Sequence, residues 1–256
     1  MSETQIVVFV PVYHGVMPML TDLLDSVDAY LGCPFHVIIV DDCTTDGTWE
    51  ALQTLQLERG AEVVTLLRNE ANQGWGFGIY KNFARAALHA LEHLEFTVFL
   101  KLDHDSLLIA PNVGAGFRAI LETPQVGITG TLQPEVNKWM FDWRTQPRVK
   151  REAVQHGYFG TLYGLHCSIQ AGAMGFARAV LESLRTRGWL ERFDFMRFGA
   201  AGLVEDVMLP ILAAACGFGS LNAPFVLSTH GSTALLRLPY TQQRGYFQRL
   251  RATDRA

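Results

Sequence analysis

Two aspartates stand where a strand should end. Asp103 closes the apolar run TVFLKLD, and Asp105 follows one residue later, after His104. Two carboxylates at this spacing at the end of a buried strand can aim oxygens at one hard cation, and a divalent cation there would bridge diphosphate oxygens. The alternative is a solvated turn, because D-x-D occurs often by chance. This motif alone leaves both readings open.

A second acidic pair, Glu205 and Asp206, lies in the otherwise apolar segment GLVEDVMLPILAAA. A carboxylate among apolar neighbours has a raised pKa, which suits a general base. The alternative is an exposed acidic pair on the surface of a helix. Pro210 is awkward in a helix interior and predicts a kink or an end of the helix at that position.

Two further polar clusters follow another predicted strand, HVIIVDD. Asp41 and Asp42 close that run and are candidates for ligand binding or for capping a helix. Asp46 begins the sequence D-G-T, and we expect it to accept amides of the next helix. Capping and ligand binding are compatible for neighbouring residues of one loop.

Two glycine-containing segments are candidates for close approach of a ligand. The stretch from Asn72 to Gly78 reads NQGWGFG, where glycines let the backbone approach a ligand and the following helix N-terminus favours phosphate. The segment from Gln170 to Phe176 reads QAGAMGF and also has small residues. The alternatives are a tight strand-to-helix turn for the first and a sheet-to-helix connection for the second.

The elements that must position these residues alternate between strands and helices. The runs IVVFVPV, HVIIVDD, EVVTLL and TVFLKLD are short and rich in β-branched residues, as in strands covered on both faces of a parallel sheet. The segments between them have helical periodicity and are long enough to cross from one parallel strand to the next. We predict an α/β fold with a doubly wound, mostly parallel sheet whose ligands gather at the carboxyl ends of the strands.

The second half of the chain has weaker patterns. We predict a helix near Pro111 to Thr123, a strand near Val126 to Leu132, and loops or a hairpin over the site from Trp139 to Tyr163. Trp139, Phe141, Trp143 and Tyr163 are candidate platforms for a sugar, although aromatic residues at such spacing are more often core. No linker or repeat interrupts the sequence, which predicts a single domain over residues 1–256.

Composition excludes several classes of protein. The formal net charge is -4 without a long basic block, so a nucleic acid partner is not expected. The four cysteines form no C-x-x-C pair, which argues against a zinc knuckle or a disulfide framework and favours a reducing compartment. The first apolar run is strand-length and lacks a basic leader, so we interpret it as a strand and not as a signal peptide. No apolar stretch reaches ~20 residues, so we expect no transmembrane segment and a cytoplasmic location.

The order of these motifs resembles glycosyltransferase family 2. The matching motifs are V-P-V-Y, V-D-D-C-T-T-D-G-T, N-Q-G-W-G-F-G, D-H-D, G-A-M-G-F and E-D, from about Ile6 to about Ser232. The resemblance implies a GT-A fold and an inverting transfer of a sugar from a nucleoside diphosphate to an acceptor hydroxyl, with Mn²⁺ or Mg²⁺. It also implies a nucleotide-sugar-binding half at 1–105, an acceptor and catalytic half at 106–235, and a basic, aromatic tail at 236–256.

The resemblance assigns roles to individual residues. Asp206 would be the catalytic base with Glu205 beside it, and the segment from Gln170 to Phe176 would be the acceptor-side turn. Asp103 would face the ribose and the cation. The remaining assignments are nucleotide contacts at Pro11, Tyr13, Asp41, Asp42, Asn72, Gly74 and Lys81, and cation ligands at Asp103, Asp105 and His230. Lys81 lies in I-Y-K-N, where many family members have A-R-N at a different spacing.

Two other classes of function remain as alternatives. A sugar nucleotidyltransferase would need an N-terminal glycine-rich loop with Arg and Lys, which VFVPVYHGVMPML lacks. A non-catalytic nucleotide-sugar or carbohydrate-binding module would share the fold. For the enzyme, we expect a UDP- or dTDP-sugar donor and a carbohydrate, glycolipid or other hydroxyl acceptor. The C-terminal tail is a candidate for peripheral contact with the inner face of the membrane, although a solvated terminal helix is the more common explanation of such a segment.

Overall fold

The structure is a computed structural model that describes residues 6–74, 76–133, 168–193 and 205–223. The strands of the described part are β1 (Ile6–Val12), β2 (Phe35–Asp41), β3 (Val64–Arg68), β4 (Val98–Leu102), β5 (Val126–Gln133), β6 (Ser168–Ala177) and β7 (Gly219–Asn222). Its helices are α1 (Met17–Tyr30), α2 (Thr48–Arg59), α3 (Phe77–His93), α4 (Val113–Leu121), α5 (Arg178–Thr186) and α6 (Glu205–Ala215). The predicted alternation of strands and helices in the first half is confirmed.

All the described strands belong to one seven-stranded sheet in the order β3-β2-β1-β4-β6-β5-β7. Strands β3, β2, β1 and β4 are parallel. The chain moves from β1 outward to β2 and β3, and then returns through α3 to place β4 on the other side of β1. This reversal is a topological switch point, where open α/β sheets bind ligands beyond the carboxyl ends of the strands.

The sheet is mostly parallel, and β6 is its antiparallel member. It lies between β4 and β5 and pairs with both in antiparallel register. The segment from Gln170 to Phe176, for which an acceptor-side turn and a sheet-to-helix connection were the alternatives, is therefore strand, and it is followed directly by α5. An added Cβ at Gly175 would lie 2.5 Å from Phe117 of α4, so the small residues here admit packing against the sheet. Backbone pairing on both sides outweighs the weak strand preference of glycine.

Two layers of side chains cover the sheet. Alternate residues of β1 point to opposite faces, so Val7 and Phe9 contact one cluster while Val8 and Val10 contact the other. The first cluster includes buried residues of α3, α5 and α6, and the second includes those of α1 and α4. This arrangement explains the unbroken apolar runs of the central strands and confirms the doubly wound interpretation.

Helix α6 continues through Pro210 to Ala215, so of the kink or end predicted at this proline, the end is wrong and the kink stays a prediction. Met208, Leu209 and Leu212 are buried in the first core cluster. Their packing offsets the loss of the backbone hydrogen bond that proline cannot donate. Among the described residues, no helix combines the length and the apolar character needed to cross a bilayer.

Candidate active site

The predicted site residues gather beyond the carboxyl ends of β1, β2 and β4. Pro11 lies within β1, opposite Val40 of β2, and is buried. Tyr13 follows β1 and is 49% exposed. Asp103 follows β4, the neighbour of β1 at the switch point. The topology alone therefore brings Tyr13 and Asp103 to the same crevice.

The carboxylate of Asp41 is fully buried and holds the loop after β2. Its Oδ1 accepts a 2.6 Å hydrogen bond from the hydroxyl of Thr44, and its Oδ2 lies 3.2 Å from Nε of Arg68. The backbone N–H of Thr44 also donates to this carboxylate. Asp41 has an internal role in this structure, and a direct contact from it to a nucleotide stays a prediction.

Asp42, at the end of β2, forms hydrogen bonds with the glycine-rich segment, by which we mean residues 72–78. Its Oδ1 accepts hydrogen bonds from the side-chain amide of Asn69 at 2.7 Å and from the backbone N–H of Gln73 at 2.9 Å. Its Oδ2 accepts the backbone N–H of Gly74 at 3.2 Å. The side chain of Asn72 donates to the backbone carbonyl of Asp42. Asn72 and Gly74 thus lie at the site through contacts with Asp42.

The start of α3 is joined to the same segment. Lys81 donates to the side-chain oxygen of Gln73 at 3.1 Å, and its Nζ lies 5.2 Å from the ring centre of Phe77. Asn69 Nδ2 also donates to the buried Asn82 at 2.6 Å. Lys81 therefore faces the glycine-rich segment, and its predicted contact with a phosphate remains to be tested.

Glycine is required at position 78 because the first turn of α3 packs closely against the backbone of Gln73. A Cβ at this position would lie 2.5 Å from the backbone carbonyl oxygen of Gln73. Alanine normally favours a helix over glycine by about 1 kcal/mol. We nevertheless expect Gly78→Ala to lower the free energy of unfolding by about 1 to 3 kcal/mol, because this clash involves backbone.

Urea unfolding of Gly78→Ala measures this effect. The matched control is Gly219→Ala, where an added Cβ would meet its nearest atom at 3.6 Å, an ordinary contact. Equal stability of the Gly78→Ala and wild-type proteins would contradict the expected clash.

The loops after β1 and β2 are also joined to each other. Asp46 Oδ2 accepts the backbone N–H of Gly15 at 2.7 Å, and its Oδ1 accepts that of Thr48, the first residue of α2. Asp46 thus accepts an amide of this helix as expected, although the residue at the N-cap position is Gly47 and not Asp46. Hydrogen bonds, foremost from the Thr48 side chain, hold the pKa of Asp46 below its ordinary value.

The D-H-D motif forms a turn that β6 holds in place. The backbone N–H of Asp103 and the hydroxyl of Ser106 both donate to the carbonyl of Gly172, at 3.0 and 2.5 Å. His104 is buried and packs edge-on against the ring of Tyr13, with ring centres 4.7 Å apart. Burial raises the pKa of Tyr13, and the negative charges of Asp105 and Asp103 raise it further. The carboxylates of Asp103 and Asp105 therefore both lie close enough to the Tyr13 hydroxyl to affect its pKa.

Lys101 connects the D-H-D and E-D motifs, and the sequence analysis missed it. Its Nζ donates a 2.6 Å hydrogen bond to Oδ1 of Asp103 and lies 3.8 Å from Oε1 of Glu205. Burial by itself lowers the pKa of Lys101, but the nearby carboxylates, Asp103 foremost, raise it above its ordinary value. A charged residue inside the apolar run VFLKL was the signal that could have identified it.

Glu205 is 3% exposed at the start of α6. Burial raises its pKa to about 7, against the opposing effect of Lys101, while Asp206 raises it further. In the described part of the chain, Oε2 of Glu205 has no hydrogen-bond partner.

The raised pKa of Glu205 makes stability depend on pH. Because the folded protein binds this proton more tightly than the unfolded chain, the contribution is present below the ordinary pKa near 4.5 and is lost as pH rises through about 7. We expect Glu205→Gln to gain stability relative to wild type between pH 4.5 and 8, by at most about 3 kcal/mol. Urea unfolding at both pH values measures the difference, with the exposed Glu191→Gln as control. An equal difference in the free energy of unfolding between Glu205→Gln and wild type at both pH values would contradict this prediction.

The donor atoms near Asp103 suit a hard divalent cation. Asp103 and Asp105 provide carboxylate oxygens at the switch point, and hard cations prefer oxygen ligands. Within the described residues, no group of three or more His, Cys, Asp or Glu side chains is arranged to hold a metal ion.

Several predicted features lie outside the described residues. These are the candidate cation ligand His230, the aromatic candidates Trp139, Phe141, Trp143 and Tyr163, and the C-terminal tail at 236–256.

Comparison with known proteins gives a family and a fold. A sequence profile described as "Glycosyl transferase family 2" matches residues 7–183. A comparison with curated protein sequences gave no match. The solved structures similar to the chain include the mannosyltransferase PcManGT from Pyrobaculum calidifontis in complex with GDP-Man and Mn²⁺, with a TM-score of 0.56 and 22% identity over 87% of this chain and 55% of that chain.

Two further solved structures share the fold. GalNAc-T7 with UDP, GalNAc and Mn²⁺ has a TM-score of 0.56 and 16% identity, covering 88% of this chain and 42% of that one. Residues 1–349 of S. aureus TarS have a TM-score of 0.52 and 16% identity, covering 95% of this chain and 65% of theirs. The chain thus spans less than two thirds of the length of each of these three structures.

The sheet order, the switch-point crevice and these structural similarities define the fold as GT-A, the nucleotide-sugar-binding α/β fold of glycosyltransferases. Because the family profile covers more than half of the residues, the chain belongs to glycosyl transferase family 2. Tyr13, Asp42, Asp103 and Asp105 lie inside the matched range. Glu205 and Asp206 lie beyond it, so their role rests on the geometry of the site.

Proposed function

We propose that this protein transfers a sugar from a nucleoside diphosphate to an acceptor hydroxyl, with a divalent cation and with inversion at the sugar carbon. The observation that carries the proposal is the meeting of the D-H-D and E-D motifs, which are far apart in sequence, around the ammonium group of Lys101. A transferase needs its leaving-group site and its base on either side of one sugar. The short distances from this ammonium group to Asp103 and to Glu205 support such an arrangement.

At the donor end, Asp103 and Asp105 would hold the cation. When bound, the cation would act as a Lewis acid that stabilises the charge developing on the diphosphate leaving group. Two of the similar structures contain Mn²⁺ with GDP-Man or with UDP and GalNAc, which supports this choice for a chain of the same fold. Mn²⁺ and Mg²⁺ are both compatible with oxygen ligands.

At the nucleoside end, Tyr13 and Pro11 would line the pocket and the loop held by Asp42 would close one side. The exposed ring of Tyr13, held by His104, offers a flat apolar surface of the kind that packs against a base. We propose UDP or dTDP as the donor nucleotide. The acceptor is a carbohydrate, a glycolipid or another hydroxyl compound, and the proposed location is the cytoplasm.

At the acceptor end, Asp206 would take the proton of the attacking hydroxyl. The oxygen then bonds to the anomeric carbon as the bond from that carbon to the diphosphate breaks, and the bonding electrons leave with the diphosphate. One displacement of this kind inverts the configuration. Asp206 is half-buried, whereas Glu205 beside it is buried against Lys101, so Asp206 is the carboxylate better placed to meet a substrate.

A thermal-shift panel tests the proposal. The protein is melted with UDP, dTDP or GDP, each with Mn²⁺, Mg²⁺ or excess chelator. A ligand at about a hundred times its dissociation constant adds ~2.7 kcal/mol of stability. We expect cation-dependent stabilisation by UDP or dTDP. In a separate turnover assay with the matching donor sugar, we expect release of the nucleoside diphosphate.

The panel also separates the alternatives. Asp28→Ala removes an exposed carboxylate of α1 that pairs with Arg59. It is the control for loss of a carboxylate outside the site, and we expect it to keep the stabilisation by nucleotide. Stabilisation without any turnover across donor sugars would support the non-catalytic binding module. Absence of stabilisation by every diphosphate would rule out the nucleotide site.

A further inference from the structure

Lys101 occupies a position where the fold has no need of a charge. It lies in β4 between two other strands, opposite Phe9 of β1 and Met174 of β6, and its side chain is fully buried. Its neighbours Leu100 and Leu102 are buried as well. An apolar side chain would suit this part of the strand, and burying an ammonium group requires compensation from other charges.

The compensation comes from two different motifs. One ammonium group contacts Asp103 from the turn after β4 and faces Glu205 from the first turn of α6. The field of Asp206 also acts on Lys101. Buried ion pairs contribute little net stability, and apolar replacements are often neutral or stabilising. Stability therefore does not account for a lysine at this point.

We propose that Lys101 is a positioning residue for the transfer step, an inference that rests on the function proposed above. By holding Oδ1 of Asp103, Lys101 leaves the other oxygen, Oδ2, to face the diphosphate side. By facing Glu205, it sets the start of α6, and with it Asp206, at a defined separation from Asp103. Lys101 itself touches no reacting atom.

The consequence is a link between the donor end and the acceptor end of the site. Nucleotide binding depends on the crevice beside Tyr13 and Asp105, whereas transfer depends on the distance from the anomeric carbon to the base. A displacement of about 1 Å can lower a rate about a hundredfold while binding changes little. Loss of Lys101 should therefore affect turnover much more than nucleotide affinity.

The test compares the wild-type protein with Lys101→Met, Glu205→Gln and the double variant that combines both changes. Methionine has a similar length and no charge. The double variant removes the ammonium group together with the buried carboxylate that faces it, so it remains folded if Lys101→Met alone is too unstable. The measurements are the dissociation constant of UDP or dTDP with Mn²⁺, the rate of nucleotide release from the donor sugar, and the melting temperature.

We expect Lys101→Met to bind nucleotide within threefold of wild type and to turn over about a hundredfold more slowly. In the double variant, we expect the melting temperature to recover relative to Lys101→Met while turnover stays low. The loss caused by Lys101→Met should also be smaller in the Glu205→Gln background than in wild type, because both residues position the same helix end.

Four results would overturn the inference in distinguishable ways. Turnover of Lys101→Met within threefold of wild type would show that the lysine is not needed for transfer. Equal losses of nucleotide affinity and turnover, or full recovery of turnover with stability in the double variant, would show a purely structural ion pair. Absence of nucleotide binding by the wild-type protein itself would overturn the proposed function and this inference together.

Discussion

Replacement of Asp206 by asparagine is expected to slow sugar transfer about a thousandfold, with nucleotide affinity within threefold of wild type. General base catalysis contributes typically 10²- to 10⁴-fold, and an amide cannot take a proton from the attacking hydroxyl. The change keeps the shape of the side chain at the start of α6. The measurement is nucleotide release from the donor sugar under saturating conditions, beside a titration of UDP or dTDP with Mn²⁺.

The pattern of kinetic constants distinguishes a base from a binding residue. A lower kcat at an unchanged dissociation constant is the result of losing an interaction made only in the transition state. Asp28→Asn on the exposed face of α1 is the isosteric control and should retain wild-type turnover. If Asp206→Asn turns over normally while Glu205→Gln loses activity without loss of nucleotide binding, the base is Glu205, and the assignment to Asp206 is wrong.

Replacement of Asp105 by asparagine is expected to remove the cation-dependent part of nucleotide binding, raising the dissociation constant about a hundredfold in Mn²⁺. The change deletes one negative charge and one carboxylate ligand from the switch-point crevice, where hard cations depend on ligand charge. Transfer should fall by at least the same factor because the diphosphate loses the positive charge that stabilises its departure. Calorimetric titration of UDP or dTDP, with and without Mn²⁺, measures the effect.

Asp105 is the sharper choice for this experiment than Asp103. One oxygen of Asp103 is bonded to Lys101, so its replacement also disturbs the buried ion pair. In Asp105→Asn, affinity measured in chelator should match that of wild type, which serves as the internal control. A variant that kept the full Mn²⁺-dependent gain in affinity would show that the cation is held elsewhere.

The first four strands were predictable because each is a short, apolar, β-branched run that must be covered on both faces. For the same reason, the carboxylates that end these runs could be placed at one edge of the sheet. β6 was not predictable in this way, since QAGAMGF lacks the bulk and the β-branched residues of a typical strand. Its strand conformation depends on backbone pairing with β4 and β5, which are distant in sequence.

The roles of individual polar residues were harder to predict than their location. Asp41 and Asp42 were expected to face a nucleotide, and in the structure their oxygens accept hydrogen bonds from Thr44, Asn69 and the glycine-rich segment. Likewise, the glycines of residues 72–78 were expected either to admit a ligand or to form a tight strand-to-helix turn, and at Gly78 the carbonyl of Gln73 occupies the space where a Cβ would lie. A sequence pattern identifies a polar or small residue but does not identify its nearest neighbour.

The family, the α/β class, the parallel core of the sheet and the edge at which the acidic motifs collect could all be predicted from the sequence. These properties follow from local periodicity and from the order of short motifs, both of which are features of the linear sequence. The tertiary structure decided that Lys101 joins Asp103 to Glu205 and that β6 runs between β4 and β5. Both depend on contacts between residues distant in sequence, and the burial that makes such contacts matter exists only in the folded chain.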